Sequence, residues 1–314
     1  MKTFLLFAFL LVACGAEEPQ AVDGGAPQAD VVPVPAPPDA AVAAPAPRIT
    51  YSFHYGPQTV LPGEEGVMCA DVPGPDHDAW IRGWHIRMHF AHHVNIWKRT
   101  SGTPFAAPTK CLNGGNGMGT GLFGATQPDV TQFLDEAPEY KGAYIKFAPG
   151  LDFIADVHYL NSTDKPVEAT VDIDFYEAEE HTTPIGGFSL SAAKSLLVPP
   201  MTTKTLTYTG ASPTADLSVL SMTAHVHAHN VSTRFFVNDA EVYRSDDWAS
   251  PLVKPFNSLH NGKLVIKPTD TISWSCEIAN TTSANLRWAN EVETGEMCNI
   301  FGLAIGPAWS YVLP

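Results

Sequence analysis

Histidine side chains are concentrated in three short stretches of the chain. Eight of the 12 histidines in the 314-residue sequence lie in WHIRMHFAHHVNIW, DVHYLN and AHVHAHN. Neutral imidazole is a good ligand for copper, zinc, iron and nickel, so the clustering indicates a metal site without naming the ion. The eight are His85, His89, His92, His93, His158, His225, His227 and His229.

His225 and His227 stand two positions apart in a stretch that has the composition of a β-strand. Alternate residues of a strand point to the same side, so both imidazoles can reach one ion without distorting the backbone. His229 continues the alternation and is expected on the same face. A surface or hydrogen-bonded role for the pair is the alternative.

The other histidines give weaker local signals. His92 and His93 are adjacent and would point to opposite faces of a regular strand, so they share an ion only if a bulge or turn interrupts it. His85 and His89 are four residues apart, as zinc ligands on a helix are. However, no glutamate follows His85, as the zinc-hydrolase motif HExxH would require.

The segments around these residues have the composition of β-strands. Runs rich in β-branched and aromatic residues are separated by Gly, Pro, Asn and Asp, and Val171, Ile173 and Phe175 alternate with acidic residues. Past the first 13 residues we find no sustained helical period. We therefore predict an all-β fold of two β-sandwiches in series, with domains at 49–183 and 184–314.

The first 48 residues are predicted to be an export signal and a tether. Residues 1–13 contain one lysine and an apolar run too short to span a membrane, and they end in a sequence that resembles the bacterial lipobox. This implies a signal peptide cut before Cys14, which would be lipidated; a secreted protein cut elsewhere is the alternative. Residues 14–48 are rich in Pro and Ala, which is typical of a disordered tether. The predicted location is therefore a lipid anchor at the outer membrane, in the periplasm or at the surface of a Gram-negative bacterium.

Charge and cysteine content narrow the possible functions. The formal net charge of -15 argues against nucleic-acid binding, which needs basic patches. Of five cysteines, four remain once Cys14 is assigned to the lipid, and their spacing alone allows three pairings. None of them forms a CxxC motif, so a zinc–thiolate site is not expected.

Taken in order, AHHVNIW, DVHYLN, AHVHAHN and GEMCNIF resemble the motifs of the copper type II, ascorbate-dependent monooxygenases. This is the family of peptidylglycine α-hydroxylating monooxygenase and dopamine β-monooxygenase. The resemblance extends over residues 63–305. It implies two jelly-roll-like β-sandwich domains that face each other across a cleft, each holding one copper ion.

The resemblance also implies individual roles. One copper ion would supply electrons, and the other would bind O₂ at the catalytic ligands, where a methionine thioether favours Cu(I). The ligands implied for the two ions are His92, His93 and His158 for the first, and His225, His227 and Met297 for the second. The implied disulfide bonds are Cys69–Cys111 and Cys276–Cys298.

Some positions depart from the family pattern. Thr223 stands where the peptide-hydroxylating members carry an arginine that binds the substrate carboxylate, and Phe301 stands where they carry tyrosine. Asn299 matches but cannot replace a charged, bidentate clamp. His229 is expected on the cleft wall or as an extra ligand of resting Cu(II). Asp156 is expected to orient His158 or to touch the substrate.

We therefore predict a copper-dependent monooxygenase. It would hydroxylate a C–H bond of a small organic or peptide-like substrate with O₂ and with ascorbate or a similar reductant. The alternative is a non-catalytic, lipid-anchored protein that only binds copper.

Overall fold

Nearly all regular structure in the computed structural model is β-strand, and the predicted all-β class is confirmed. The structure describes residues 47–100, 103–111, 118–150, 153–192, 195–289, 291, 294–306 and 308–312. The predicted signal peptide, the lipidation site Cys14 and nearly all of the tether lie outside these residues. Across the described ranges the helical structure is limited to one 3-10 turn, Pro138–Tyr140, and no helix is long and apolar enough to cross a membrane.

The strands fall into two consecutive groups. The first group is β1 (Ile49–Val60), β2 (Glu65–Val72), β3 (Ala79–His89), β4 (Ala91–Arg99), β5 (Thr109–Lys110), β6 (Met118–Ala125), β7 (Asp129–Phe133), β8 (Ala143–Phe147), β9 (Phe153–Leu160) and β10 (Val167–Glu177). The second group is β11 (Thr183–Ser191), β12 (Leu197–Val198), β13 (Thr202–Gly210), β14 (Leu217–Val226), β15 (Asn230–Val237), β16 (Ala240–Ser245), β17 (Lys254–Pro255), β18 (Leu264–Ile266), β19 (Ile272–Asn280), β20 (Leu286–Arg287), β21 (Cys298–Ile305) and β22 (Trp309–Val312).

In the first group, two sheets enclose one hydrophobic core. One sheet has the order β5-β2-β9-β4-β6, and the other contains β1, β10, β3, β7 and β8. Large side chains from both sheets are fully buried between them, including Trp84, Phe153 and Phe175. Burying a side chain of this size contributes roughly 1.5–3 kcal/mol, so this face-to-face packing is a main source of stability.

The second group repeats this arrangement around its own core. The sheet β13-β19-β15-β16 lies opposite a layer that contains β11, β21 and β14. Trp274 and Phe235 from the first of these sheets and Phe188 from the second are fully buried in the shared core.

One sheet continues from the first group into the second. The parallel pairing of β8 with β11 joins the two layers into an eleven-stranded sheet. Three side chains of the second group, Ile185, Leu220 and Leu303, are buried in the core of the first. The chain passes the predicted domain boundary at 183/184 inside β11, so the two cores are linked there by strand pairing as well as by the chain.

Strand β10 shows how the sequence dictates this fold. Its hydrophobic residues Val171, Ile173 and Phe175 are fully buried, whereas the acids between them face outward. On the outer face Asp174 accepts a hydrogen bond from Ser52 at 2.6 Å and pairs with Arg87 at 2.8 Å. The predicted alternation is confirmed in this strand.

Both implied disulfide bonds are present. Cys69 of β2 is bonded to Cys111, and Cys276 of β19 is bonded to Cys298 at the start of β21. The second bond ties together the two sheets of the second group, one residue after Met297.

Candidate metal centre

His92, His93 and His158 come together where β4 pairs with β9. The register between these antiparallel strands shifts between Ala91 and His93, which places a bulge at His92. Because of this bulge both neighbouring rings approach His158, with ring centres 5.4 Å away for His92 and 4.7 Å away for His93. The irregularity that two adjacent histidines require in order to share an ion is therefore present.

His225 and His227 lie at the end of β14. The strand ends at Val226, so it is shorter than the sequence pattern predicts, and a turn closes with a 3.0 Å hydrogen bond from the Asn230 N–H to the His227 carbonyl oxygen. The rings of His225 and His227 are 5.9 Å apart. His229 lies in the turn and not on the strand face.

The two predicted ligand sets meet in one histidine cluster, which consists of His92, His93, His158, His225 and His227. The ring centres of His93 and His225 are 5.0 Å apart, as close as the rings within each set. Three of the five histidines are buried, with exposed fractions of 7% for His93, 1% for His158 and 2% for His227, and the other two are half-buried. The structure therefore brings together all five predicted histidine ligands.

Met297 is tied to this cluster by the carboxylate of Glu296. One carboxylate oxygen of Glu296 accepts hydrogen bonds from the backbone N–H of His227 at 2.6 Å and of Met297 at 2.8 Å. The other oxygen accepts the N–H of His229 at 3.2 Å. Glu296 is fully buried, so it fixes the segment before β21 against the turn after β14.

Two further predicted residues lie beside the site. Asn299 pairs with His225 across β14 and β21, and its side-chain amide donates to the Met297 sulfur at 3.5 Å. The carboxylate of Asp156 accepts hydrogen bonds from Asn95 at 2.9 Å and from the Trp97 indole at 2.7 Å. These two hydrogen bonds direct Asp156 toward Asn95 and Trp97.

A different carboxylate contacts His158. Glu65 Oε1 lies 2.9 Å from His158 Nε2, across the pairing of β2 with β9. A carboxylate in this position orients the imidazole ring and fixes which nitrogen carries the proton. Sequence reasoning missed both Glu65 and Glu296, because only the strand register and the turn bring them to the histidines.

Burial favours the uncharged form of four of the imidazoles. Desolvation lowers the pKa of His92 and of His225 to about 4, and it lowers the pKa of His93 and of His227 well below the usual range. A neutral imidazole keeps a nitrogen lone pair available for a metal ion near neutral pH. Burial also raises the pKa of the Glu296 carboxyl to about 7, against the effect of its three backbone donors.

The donor types fit a copper ion. Imidazoles that bind one ion through nitrogens about 2 Å from it keep their ring centres roughly 5 Å apart, which is the spacing found within the cluster. The buried His227 Nδ1 has no hydrogen-bond partner in the described part of the chain. Among the described residues no three His, Cys, Asp or Glu side chains are arranged to hold a metal ion. Rotation of the rings would therefore have to accompany binding by the His92, His93 and His158 set.

His85 and His89, which have the spacing of a zinc pair on a helix but lack the HExxH glutamate, do not join the cluster. His85 lies on β3, where its Nε2 contacts Asp129 at 2.7 Å and its Nδ1 contacts Arg87 at 2.9 Å. His89 is the last residue of the same strand and is exposed. The structure therefore separates these two histidines from the five that meet.

Comparisons with known proteins change the family prediction. No protein-family model and no curated protein matches the chain. Among solved structures it is similar to PNGase F, a glycosylasparaginase from Flavobacterium meningosepticum, with 10% identity over 82% of this chain and 97% of that one and a TM-score of 0.40. It is also similar to the STIV MCP, with 9% identity over 84% and 97% of the two chains and a TM-score of 0.33.

The predicted membership of the copper type II, ascorbate-dependent monooxygenase family is therefore wrong. The structural neighbours are PNGase F and viral capsid jelly rolls, and nothing in them points to that family. Four short motifs reproduce a set of donor side chains, but donor chemistry can recur on unrelated chains and does not by itself establish descent. Any metal-binding role of the histidine cluster therefore rests on the geometry of its side chains and not on a family relationship.

Proposed function

We propose that the protein binds copper through the histidine cluster and Met297 and uses it to hydroxylate a C–H bond of a small organic or peptide-like substrate. The observation that carries the proposal is the meeting of five histidine rings in one continuous cluster, three of them buried and two half-buried. Glu296 joins the backbone N–H of Met297 to that of His227 in this cluster. This proposal depends on these side chains and on no family relationship.

The donor set favours copper over zinc. Imidazole serves both oxidation states of copper, whereas a thioether is a soft ligand that favours Cu(I). We assign one ion to His92, His93 and His158 and a second ion to His225, His227 and Met297. The second set offers three protein donors, which leaves an open position for a small molecule.

The reaction needs O₂ and a reductant, and ascorbate or a similar small molecule fits this role. One oxygen atom enters the C–H bond and the other leaves as water, with two electrons from the reductant and two protons. Copper, when bound, supplies the one-electron chemistry. The protein favours the neutral form of His92, His93, His225 and His227 by burial. It orients His158 through Glu65 and positions the Met297 backbone through Glu296.

Activity would depend on Met297. Purified protein, loaded with copper and given ascorbate and O₂, is incubated with a periplasmic or culture extract, and products that gain one oxygen atom are sought by mass spectrometry. Met297→Ile is expected to abolish this oxygenation and to leave the circular dichroism spectrum unchanged. Met201→Ile, at a methionine that is 74% exposed, is the matched control and should retain activity.

Two outcomes would contradict the proposal. Full activity in Met297→Ile would remove the assigned role of the thioether. Tight copper binding with no substrate-linked consumption of O₂ would favour the alternative, a copper-binding protein without catalytic activity. The proposed lipid anchor depends only on residues 1–48 and is tested separately, by mass spectrometry of the mature N-terminus.

A further inference from the structure

A narrow cavity extends from the histidine cluster between β4 and β6 on one side and β14 and β21 on the other. This inner recess has a volume of about 70 Å³ and is bounded by Trp97, Phe123, His225 and Phe301, among others. It adjoins an outer cavity of about 720 Å³, and the two share Ser221 and Val253 in their walls. The two cavities therefore lie next to each other, and the recess is the one that reaches His225.

The recess is uncharged, and most of its larger side chains are apolar. No Asp, Glu, Lys or Arg is found among the described residues that line it. The ring of Phe301 makes an edge contact with Trp97 at 5.6 Å and lies 5.5 Å from the ring of His225. A charged group that entered would lose its hydration without gaining an ionic partner, so it is disfavoured there.

Several polar side chains of the recess already have protein partners. Gln132 donates to the Ser221 hydroxyl at 3.5 Å, and Asn95 donates to Asp156 at 2.9 Å. The hydroxyl of Thr223 donates to the Ala224 carbonyl oxygen at 3.4 Å. These bonds leave an apolar surface as the main contact that the recess offers to a ligand.

The outer cavity differs in charge. Among the described residues its wall includes Glu136, Asp246 and Asp247 but a single cation, Arg244, whose guanidinium contacts Asp246 at 2.9 Å. A carboxylate or phosphate group would therefore meet a net negative entrance.

We propose that the inner recess binds the uncharged, apolar end of the substrate, a short alkyl group or the edge of an aromatic ring, and that anionic substrates are excluded. An apolar cavity of about 150 Å³ is known to bind benzene, so a recess of half that size admits only the leading part of a ring, with the rest in the outer cavity. The bound end would lie against His225. Calling this ligand a substrate rests on the proposed function. Its binding in the recess does not require copper.

A binding experiment on the metal-free, full-length protein tests this inference. The probes are p-cresol, which is neutral, and 4-methylbenzoate, which has a similar shape and carries a negative charge. Their dissociation constants are measured by ligand-observed NMR. We expect p-cresol to bind at least about tenfold more tightly than 4-methylbenzoate, a difference of about 1.4 kcal/mol.

Val253→Trp places an indole at the junction of the two cavities. Val253 is 48% exposed, so the larger side chain does not have to enter the core, and p-cresol binding should weaken by about tenfold or more. Val265→Trp, at a valine on β18 that is 39% exposed and lines neither cavity, is the matched control and should bind p-cresol like the unmodified protein.

Equal binding of the two probes, or p-cresol binding that survives Val253→Trp, would overturn the inference. Because no copper is present, the result is independent of the proposed reaction. Selective p-cresol binding without oxygenation would support the binding role of the recess and contradict the proposed monooxygenase function. Oxygenation without selective binding would support the function and contradict the binding role.

Discussion

Glu296 connects the two halves of the predicted thioether site with a single side chain. Its carboxylate accepts the N–H groups of His227, Met297 and His229, although these residues belong to segments about seventy positions apart in the sequence. A buried carboxylate is tolerated only when its oxygens are well hydrogen-bonded, and here three donors meet that need. Glu296 is therefore a positioning residue for His227 and Met297.

Replacing Glu296 by glutamine should loosen this connection. The amide keeps one acceptor oxygen, but its NH₂ group would face backbone donors. Hydrogen bonds to charged groups contribute about 1.5–3 kcal/mol each, so we expect Glu296→Gln to lower the free energy of unfolding by about that amount. Urea denaturation of the metal-free protein measures the loss, at a pH well above the Glu296 pKa of about 7, where the carboxyl is ionised.

The matched control is Glu168→Gln, at an exposed glutamate that accepts one hydrogen bond from Thr59. That variant should be as stable as the original protein. A second readout concerns position: copper-edge X-ray absorption of Glu296→Gln should show a weakened sulfur contribution. If stability and sulfur ligation are both unchanged, Glu296 does not position Met297.

At the scale of elements, the second disulfide bond supports the strand that follows Met297. Cys276 and Cys298 join β19 to β21 and are fully buried, and the indole of Trp274 donates to the Cys298 carbonyl oxygen at 3.0 Å. The first residue of β21 is thus held both by the disulfide bond and by this hydrogen bond. Because Met297 directly precedes Cys298, this also restricts the backbone position of Met297.

Removing this disulfide bond should destabilise the protein and disturb the thioether. A cross-link over a sequence separation of 22 residues stabilises a fold by roughly 3 kcal/mol through the unfolded chain. We expect Cys276→Ala with Cys298→Ala to lose about this much, measured by urea denaturation, and to bind copper at the Met297 site more weakly.

The other disulfide bond provides the control. Cys69→Ala with Cys111→Ala should lose a similar amount of stability, since its sequence separation is 42 residues, but should retain sulfur ligation at copper. Equal effects of both double variants on sulfur ligation would contradict a specific role for the bond next to Met297.

The strands could largely be predicted from the sequence, whereas the contacts of the site could not. Alternation in β10 identifies its buried face directly, because side-chain direction in a strand has a period of two. The early end of β14 at Val226 and the bulge at His92 depend on hydrogen bonds to partner strands. Glu65 reaches His158 only through the register of β2 with β9. The order of the motifs also suggested a family that the comparisons contradict. The motifs therefore identified which histidines lie close together, but not the family of the chain.

At the scale of the whole molecule, the histidine cluster depends on how closely the two strand groups approach each other. His93 belongs to the first group and His225 to the second, and their rings are 5.0 Å apart. The shared sheet through β8 and β11 and the side chains that cross into the first core hold the groups at this spacing. We therefore expect the two groups to unfold together, in one transition.

Gly187 of β11 is a point of close approach between the groups. A Cβ atom added there would collide with the backbone carbonyl oxygen of Gly121 in β6, which also lines the inner recess. Backbone on both sides cannot yield as a flexible side chain would, so Gly187→Ala has to separate β11 from β6. Overpacking of this kind costs about 1–3 kcal/mol, and we expect a lower denaturation midpoint together with weaker p-cresol binding. Ser189→Ala, two residues along the same strand, is the control and should change neither quantity. A Gly187→Ala variant that unfolds at the original urea concentration and binds p-cresol normally would show that the groups do not meet at this point.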